Sequence, residues 1–272
     1  RAGISHHDSA YRFSDMGIDV FLGNGRFTSP HTFTVDDKII HFKKAVIATG
    51  SRAATLPIPG LEDAGYLTNE TFFELTEQPQ RLAVIGAGPI GSELSQAMQR
   101  FGTQITLFDV LPQVLGREDA EAAAVVQAQM VRDGIDLCLE ANISRVSSGP
   151  DGKVIHFTQG GVEKTAVVDE ILLAVGRRPN VEGLNLEAAG VEYTKHGVTV
   201  NDKLETSNSD IYGAGDVAMK YQFTHLADAA ARIVIQNALF LGRKKQSALT
   251  VPWVTYTDPE VAHVGLYDHE AE

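Results

Sequence analysis

The chain has 272 residues, of which 43% are hydrophobic and 21% charged, and its formal net charge is −12 at pH 7. No apolar run approaches the roughly 20 residues that a membrane-spanning helix needs, and a nucleic-acid binder would require a basic face for phosphates. We therefore expect a globular, cytoplasmic protein with no membrane span and no nucleic-acid partner, long enough for one large α/β domain or two smaller ones.

The only cysteine is Cys138, so one copy of the chain cannot form an intramolecular disulfide or a cysteine-based zinc site. Its surroundings, "GIDLCLE", predict a strand in which a lone cysteine packs as a small hydrophobic side chain without a redox role. The adjacent His6, His7 and Asp8 predict a solvated turn or helix start, because neighbouring histidines cannot easily bind one metal together. We predict no metal site.

Residues 1–75 are rich in short β patterns. The segment "DVFLGNGRFTSPHTFTV" has apolar pieces separated by Gly, Asn, Ser and Pro, which is typical of a meander of short strands. In "KKAVIATGS" we predict a buried strand over residues 45–48 that ends at Thr49. A boundary follows near "EQPQ" at 77–80.

From Arg81 the pattern changes to alternating strands and helices. "LAVIG" and "QITLFD" predict buried strands, and residues 89–101 between them predict a helix with Gly102 just past its end. A second helix is predicted in "EDAEAAAVVQAQMVRD" and is ended by Gly134. Two or three β pieces run to about Val168, and "DEILLAVGRRPN" predicts another apolar strand. This order implies a parallel sheet with crossover connections.

The last part of the chain predicts a strand in "SDIYGAGD" and a long helix in "HLADAAARIVIQNALFLG", with Thr224 as its N-cap. The tail "VPWVTYTDPEVAHVGLYDHEAE" begins another β element. Because the chain starts at Arg1 with no initiator Met and no signal peptide, we expect it to be part of a longer protein.

The most informative segment is "LAVIGAGPIGSELSQAMQRFGTQITLFDV", in which Gly86, Gly88 and Gly91 have G-x-G-x-x-G spacing between a strand and a helix. The first glycine permits a tight turn, the second lets the backbone approach a pyrophosphate, and the third allows close helix–strand packing. Asp109 follows Gly91 by 18 positions, at the end of the next strand, where a carboxylate accepts hydrogen bonds from the adenosine ribose. The pattern predicts a dinucleotide site; the alternative is a packing turn with no ligand.

Asp109 also bears on which dinucleotide binds. A carboxylate at this position repels the 2′-phosphate of NADPH, for which an arginine is expected nearby. The next basic residue in the sequence, Arg117, lies in a predicted loop. We therefore predict that NAD(H) is preferred over NADP(H).

Five segments, taken in order, carry a family resemblance: "IATGSRAATLPIPG", "VIGAGPIGSEL", "LLAVGRRPN", "SDIYGAGDV" and "TYTDPEVAHVG". Together they resemble the pyridine nucleotide-disulfide oxidoreductases, which are FAD-dependent enzymes. The runs "QFTHLADAAARIVIQNALF" and "VPWVTYTDPE" look closest to mercuric-reductase-like members, and dihydrolipoamide-dehydrogenase-like members are also similar. The resemblance spans nearly the whole chain.

The resemblance implies an α/β fold. A doubly wound, Rossmann-like NAD(H)-binding domain, with a β-meander, would be inserted in a discontinuous FAD domain that lacks its N-terminal part. The implied divisions are the second part of the FAD domain at 1–78, the NAD(H)-binding domain at 79–198, the return segment of the FAD domain at 199–248, and the start of a truncated interface (dimerisation) domain at 249–272.

Cofactor contacts are implied residue by residue. On the FAD side they are Gly25, Thr49, Gly50 and Ser51 beside the adenosine, Gly215 and Asp216 at the ribityl chain, and Gln222, Phe223, Thr224 and His225 at the flavin pyrimidine edge. On the NAD(H) side they are Gly86, Ala87, Gly88, Pro89, Ile90, Gly91, Glu93 and Asp109, with Ile143 near the adenine and Gly176 near the nicotinamide. Glu93 would orient a lysine beside the flavin. Pro89 stands where some relatives carry a Tyr or Val lid, and it has no mobile ring to act as one.

The resemblance also implies hydride transfer from NADH to FAD and, in an intact homodimeric enzyme, onward transfer to a disulfide, dithiol or Hg(II) acceptor. A C-x-x-x-x-C redox pair is expected before Arg1 and a catalytic His-x-x-x-x-Glu after Glu272, so we assign no catalytic residue in this chain. Two alternatives stay open: a dinucleotide-binding module that is inactive on its own, and an NADH oxidase-like flavoprotein without a redox cysteine pair.

Overall fold

The computed structural model describes residues 9–267 and residue 270. Its internal contacts divide the chain into two compact units. The first unit is Arg1–Gly50 with Pro179–Leu249, and the second unit is Ser51–Arg178 with Thr250–Glu272. The functional domains expected from the sequence use other boundaries and stay a prediction.

The described residues form five α-helices and eighteen strands. The α-helices are α1 (Ala10–Asp15), α2 (Leu61–Ala64), α3 (Pro89–Arg100), α4 (Ala120–Asp133) and α5 (Thr224–Leu239). The strands are β1 (Gly25–Ser29), β2 (Thr32–Val35), β3 (Lys38–His41), β4 (Ala45–Ile47), β5 (Ser51–Ala53), β6 (Arg81–Ile85), β7 (Gln104–Phe108), β8 (Asp136–Cys138), β9 (Ala141–Gly149), β10 (Gly152–Gln159), β11 (Val162–Val168), β12 (Glu170–Leu173), β13 (Arg177–Pro179), β14 (Tyr193–Thr194), β15 (Gly197–Val198), β16 (Ile211–Gly213), β17 (Trp253–Thr255) and β18 (Val261–His263).

The second unit is built on a four-stranded parallel sheet in the order β12-β6-β7-β8. Helix α3 connects β6 to β7 and α4 connects β7 to β8, so each crossover returns the chain to a parallel neighbour. Ile85, the last residue of β6, pairs with Phe108 of β7 and Leu173 of β12, which brings three strand ends to the same edge. The expected α/β, Rossmann-like fold is confirmed.

Alternate side chains of β6 enter two different cores, because successive strand residues point to opposite faces. Leu82 and Val84 belong to a buried cluster with Val126 and Met130 of α4. Ala83 and Ile85 belong to a second cluster. The other members of that cluster include Phe157, Val146 and Val168 of the antiparallel meander β9–β11. One face of the sheet is therefore covered by helices and the other largely by the meander, and this explains why its strands read as continuous apolar runs.

Most predicted boundaries agree with the structure to within one or two residues. Helix α3 ends at Arg100, and Gly102 follows it with φ +101°; α4 ends before Gly134, whose φ is +94°. The prediction that Thr224 is the N-cap of the long helix is wrong. The N-cap is Phe223, in extended conformation, and Thr224 is the first helical residue.

The first unit contains the antiparallel meander β1-β2-β3 and the parallel pair β16-β4. Phe27, Ile47, Ile211 and Val217 belong to its buried cluster. Strand β4 ends at Ile47, one residue earlier than predicted, and of its three residues only Ile47 is buried. Ala48, Thr49 and Gly50 follow it. The pair therefore places the predicted FAD motifs, which follow β4 and end β16, at neighbouring strand ends.

Membrane-spanning helices and clusters of metal-binding side chains are both absent from the residues that the structure describes. No helix there is both long enough and apolar enough to cross a membrane. No group of three or more His, Cys, Asp or Glu side chains is arranged there to hold a metal ion. His6, His7 and Asp8 lie outside the described residues.

Cys138 ends β8 and is 5% exposed, in the core cluster that faces the meander. Burial, with a smaller contribution from Asp136, raises the pKa of its thiol to about 11. The reactive thiolate is therefore scarce at neutral pH.

We predict that Cys138 reacts with a thiol-modifying disulfide reagent at pH 8 about a hundredfold or more slowly in the folded chain than in denaturant, because both its thiolate fraction and its access are reduced. Stopped-flow absorbance measures both rates. Equal rates in the folded and unfolded chain would contradict the buried, protonated thiol.

Candidate nucleotide-binding site

The turn between β6 and α3 requires glycine at two positions for steric reasons. Gly86 has φ +105°, and a Cβ placed on it would lie 2.5 Å from the carbonyl oxygen of Ala174. A Cβ on Gly91 would overlap the carbonyl oxygen of Gly86. Glycine at these two positions lets the first turn of α3 pack directly against the end of the sheet.

Gly88 differs from its two neighbours in the motif. It has φ −71°, which any residue can adopt, and a Cβ added there would meet nothing within 4 Å. Nothing in the fold of the second unit therefore requires glycine at this position. The open space beside the N-terminus of α3 is where a pyrophosphate could approach the backbone, as the motif predicts.

Pro89 has a structural explanation that follows from the helix start predicted at residue 89. It is the first helical residue of α3 and is exposed. Proline is favoured at this position because its missing N–H is one of those that a helix start leaves unpaired, and its fixed φ suits the helix. The backbone N–H groups of Ile90 and Gly91 remain to face an anion.

Asp109 follows β7 directly and holds the glycine turn. Its Oδ2 accepts a hydrogen bond from the N–H of Ala87 at 2.7 Å, and its Oδ1 accepts one from the N–H of Leu111 at 2.9 Å. The structure therefore brings together Asp109 and the glycine motif, as the spacing predicts. Both bonds fix the carboxylate at the carboxyl edge of the sheet, where ligands bind in open α/β folds.

The carbonyl group of Ala87 has two partners that the sequence did not indicate. Its oxygen accepts hydrogen bonds from the N–H of Leu115 at 2.8 Å and from Ser92 Oγ at 3.0 Å. Leu115 has φ +49°, uncommon for leucine, and is 1% exposed. Both groups of the Ala87 backbone are thus held, which fixes the orientation of the turn.

The remaining predicted NAD(H) residues lie outside this network. Glu93 Oε1 accepts a hydrogen bond from the N–H of Tyr256 at 2.9 Å, and its expected role beside a lysine stays a prediction. Ile143 is on β9, partly buried against the meander-facing core. Gly176 has φ +105° with open space around it, and its carbonyl oxygen accepts from the N–H of Ala54 at 2.9 Å.

The predicted FAD residues around β4 are held by local hydrogen bonds. Thr49 Oγ1 donates to the carbonyl of Asn180 at 2.7 Å, and Asn180 Nδ2 donates to the carbonyl of Thr49 at 2.9 Å. The carbonyl of Gly50 accepts from the N–H of Asn180 at 3.0 Å. In the second unit, Arg177 Nε donates to Ser51 Oγ at 2.7 Å. Arg177 is the first residue of β13, and its bond fixes the side chain of Ser51 at the start of β5.

Other predicted FAD residues of the first unit lie at a strand end and at a helix start. Gly215 has φ +73° and opens a 3-10 turn, Gly215–Val217, that contains Asp216. Gly25 has its own packing explanation, because a Cβ there would lie 2.6 Å from the ring of Phe33. These positions stay predictions as flavin contacts.

The segment that leads into α5 carries stacked rings. Phe223 and His225 stack with ring centroids 5.4 Å apart, and Tyr221 and Phe223 with centroids 6.3 Å apart. Gln222 and Thr224 alternate with them in the sequence. The stacking orders the backbone at the helix start, which is the part that the resemblance assigns to the flavin.

For two buried serines of α3 we predict different effects of substitution by alanine on the free energy of unfolding. Ser92 and Ser95 are both 0% exposed, but Ser92 Oγ donates to the carbonyl of Ala87, whereas Ser95 Oγ has no hydrogen-bond partner within the described residues. We expect Ser92→Ala to lower the free energy of unfolding by about 1 kcal/mol, and Ser95→Ala to leave it unchanged or raise it by a similar amount, because alanine removes an unpaired buried hydroxyl. Denaturant unfolding of both variants measures this; changes of the same sign and size would contradict the assignment.

A family model described as "Pyridine nucleotide-disulphide oxidoreductase" matches residues 5–231. The chain is similar to a mercuric reductase of Staphylococcus aureus, with 38% identity over 259 residues that cover 95% of this chain and 47% of that protein. It is similar to a dihydrolipoyl dehydrogenase of Thermus scotoductus, with 34% identity over 259 residues that cover 93% of this chain and 55% of that protein. The chain spans about half the length of these relatives.

Two solved structures have the same fold as this chain. The flavoprotein disulfide reductase RclA from Escherichia coli, solved as a Cu(II) complex, superposes with a TM-score of 0.89 at 27% identity over 99% of this chain and 62% of that chain. LpdA from Mycobacterium tuberculosis gives a TM-score of 0.87 at 26% identity over 99% of this chain and 61% of that chain. The family model matches most of this chain, and the chain has the strand–turn–helix motif described above. The chain therefore belongs to the pyridine nucleotide-disulphide oxidoreductase family.

Proposed function

We propose that this chain is the nucleotide-binding part of an FAD-dependent NADH oxidoreductase. The observation that carries the proposal is the contrast within the glycine motif: Gly86 and Gly91 are required for packing, whereas Gly88 leaves open space beside the N-terminus of α3. A packing turn without a ligand explains the first two glycines and not the third. A dinucleotide explains all three.

The residues present fit NAD(H). The N–H groups of Ile90 and Gly91 and the positive end of the α3 dipole would stabilise the pyrophosphate charge. Asp109, already oriented by its bonds to Ala87 and Leu111, would accept hydrogen bonds from the adenosine ribose hydroxyls. Ile143 and Gly176 would lie toward the adenine and the nicotinamide, as the family resemblance implies.

The residues of the first unit fit the remainder of a flavin site. Glycine with positive φ at Gly50 and Gly215 lets the chain turn sharply after the parallel strands β4 and β16, where nucleotides bind in this class of fold. Asp216 would bind the ribityl chain, and the start of α5, from Gln222 to His225, would face the pyrimidine edge. FAD, when bound, supplies an acceptor for the hydride of NADH; the protein orients it and tunes its electronics.

The electron acceptor belongs to the intact protein. Relatives named mercuric reductase and dihydrolipoyl dehydrogenase point to Hg(II) or to a disulfide or dithiol as acceptor. Cys138, buried and with a raised pKa, is not suited to pass electrons to either. We propose that the redox pair is supplied by another part of a cytoplasmic, homodimeric enzyme.

The buried cysteine also favours a second candidate function, that of a dinucleotide-binding module that is inactive on its own. Because the one thiol in this sequence is buried and protonated, the chain alone would bind NAD(H) without turnover. Calorimetric titration with NADH beside an NADH-oxidation assay on the same preparation separates the two: binding without turnover identifies a module, and turnover identifies a flavoenzyme that does not need the cysteine pair.

We predict that NADH binds at least about tenfold more tightly than NADPH, because the 2′-phosphate of NADPH would lie against the Asp109 carboxylate and like charges repel. Dissociation constants from calorimetry at constant ionic strength test this. Similar constants for the two nucleotides would contradict it.

We predict that Gly88→Ala keeps the thermal unfolding midpoint of the wild type but weakens NADH binding about tenfold or more, because the added methyl group occupies open space that the pyrophosphate would fill. Gly149→Ala, at a meander position where a Cβ makes ordinary contacts with Val154 and the carbonyl oxygen of Gly152, is the matched control and should change neither property. Normal NADH affinity in Gly88→Ala would show that the motif does not bind the nucleotide.

A further inference from the structure

Residues 253–267, here called the C-terminal hairpin, hold the side chain of Glu118 on the loop that precedes α4. Glu118 Oε1 accepts a hydrogen bond from Trp253 Nε1 at 2.8 Å, and its Oε2 accepts one from Tyr267 Oη at 2.9 Å. Burial, and then the bond to Glu118, raises the pKa of Tyr267, so its hydroxyl stays protonated and donates. The ring of His263 packs on both donors, with centroids 4.3 Å from Trp253 and 4.0 Å from Tyr267. Both donors are thus held in place.

The same hairpin is fixed to one face of α3. Glu93 accepts the N–H of Tyr256, and Gln96 pairs with both backbone groups of Asp258, accepting from its N–H at 2.7 Å and donating to its carbonyl at 2.9 Å. Arg100 Nη1 lies 2.8 Å from Asp258 Oδ2. The helical partners are three and four residues apart and therefore lie on one face of the helix that begins at the glycine turn.

Hydrogen bonds lead from Glu118 back to the glycine turn. The N–H of Glu118 donates to the carbonyl of Leu115 at 2.7 Å, and the N–H of Leu115 donates to the carbonyl of Ala87 at 2.8 Å. Leu115 has a left-handed backbone, with φ +49°, which persists in leucine only when its surroundings hold it. The carboxylate of Glu118, bonded at both oxygens, is one of the groups that hold this loop.

We propose that Glu118 is a positioning residue for the nucleotide site. The C-terminal hairpin, anchored on α3, closes a ring of hydrogen bonds through Glu118 and Leu115 to the carbonyl of Ala87. This ring fixes the Ala87–Gly88 peptide, which leads into the amides that would face the pyrophosphate. This inference rests on the proposed function, that NAD(H) binds at the glycine turn. Its physical basis is pre-organisation: a turn already held in the bound geometry loses less conformational freedom on binding.

The test substitutes Glu118→Gln, which keeps the shape but replaces one acceptor oxygen with an NH2 group that faces a donor. We expect the dissociation constant for NADH to rise about three- to tenfold, the effect of one or two weakened hydrogen bonds. We also expect faster hydrogen–deuterium exchange in peptides covering 84–92 and 111–119, in the absence of nucleotide. Trp253→Phe, which keeps a ring in the cluster and removes one donor, should change both measurements in the same direction.

The matched control is Glu121→Gln, an exposed glutamate in the first turn of α4, which should alter neither measurement. Flavin content of the full-length enzyme and the thermal unfolding midpoint separate positioning from a general loss of structure, and both should stay those of the wild type. If wild type binds NADH and Glu118→Gln binds it equally well, or if the variant loses flavin and stability together with NADH affinity, the inference is overturned. If the wild type itself does not bind NADH, the proposed function fails first, and with it the inference.

Discussion

The contact between the first turn of α3 and the end of β6 is the constraint from which the geometry of the proposed nucleotide site follows. A side chain at Gly91 would overlap the carbonyl of Gly86, and one at Gly86 would press on the carbonyl of Ala174 beyond β12. Without side chains at these two points, the helix start packs directly on the carboxyl edge of the sheet, and its unpaired N–H groups face the same side as Asp109. One close contact therefore both completes the fold of this unit and creates the place where an anion can bind.

The backbone of Ala87 lies at the centre of this arrangement. Its N–H is held by Asp109 from the neighbouring strand, and its carbonyl is held by Ser92 from the helix and Leu115 from the following loop. Three separate pieces of chain thus determine the two peptide planes on either side of the Ala87 Cα, Gly86–Ala87 and Ala87–Gly88. Such over-determination is what allows a left-handed leucine to persist at 115, and it holds the turn in one geometry, as the proposed nucleotide site requires.

Much of this could be predicted from the sequence, because the strongest signals are local. The apolar run of β6, the glycine spacing and the terminal Gly134 of α4 each act within a few residues, and the structure agrees with them. The same holds for the parallel order of the sheet, which follows from alternating strands and helices. The error at Thr224 has a local cause as well: threonine suits an N-cap, yet the extended Phe223, stacked on His225, takes that position.

What could not be predicted depends on contacts between distant residues. Composition does not reveal that the meander β9–β11 covers the second face of the sheet, nor that Glu118 is bonded by Trp253 and Tyr267 more than 130 positions away. The central claim is that the glycine turn with Asp109 binds NAD(H), and a crystal structure of the protein with NAD+ tests it most directly. We expect the pyrophosphate beside Gly88 at the N-terminus of α3, with the adenosine ribose on Asp109; NAD+ bound elsewhere, or a side chain or solvent filling that space at saturating NAD+, would contradict the account.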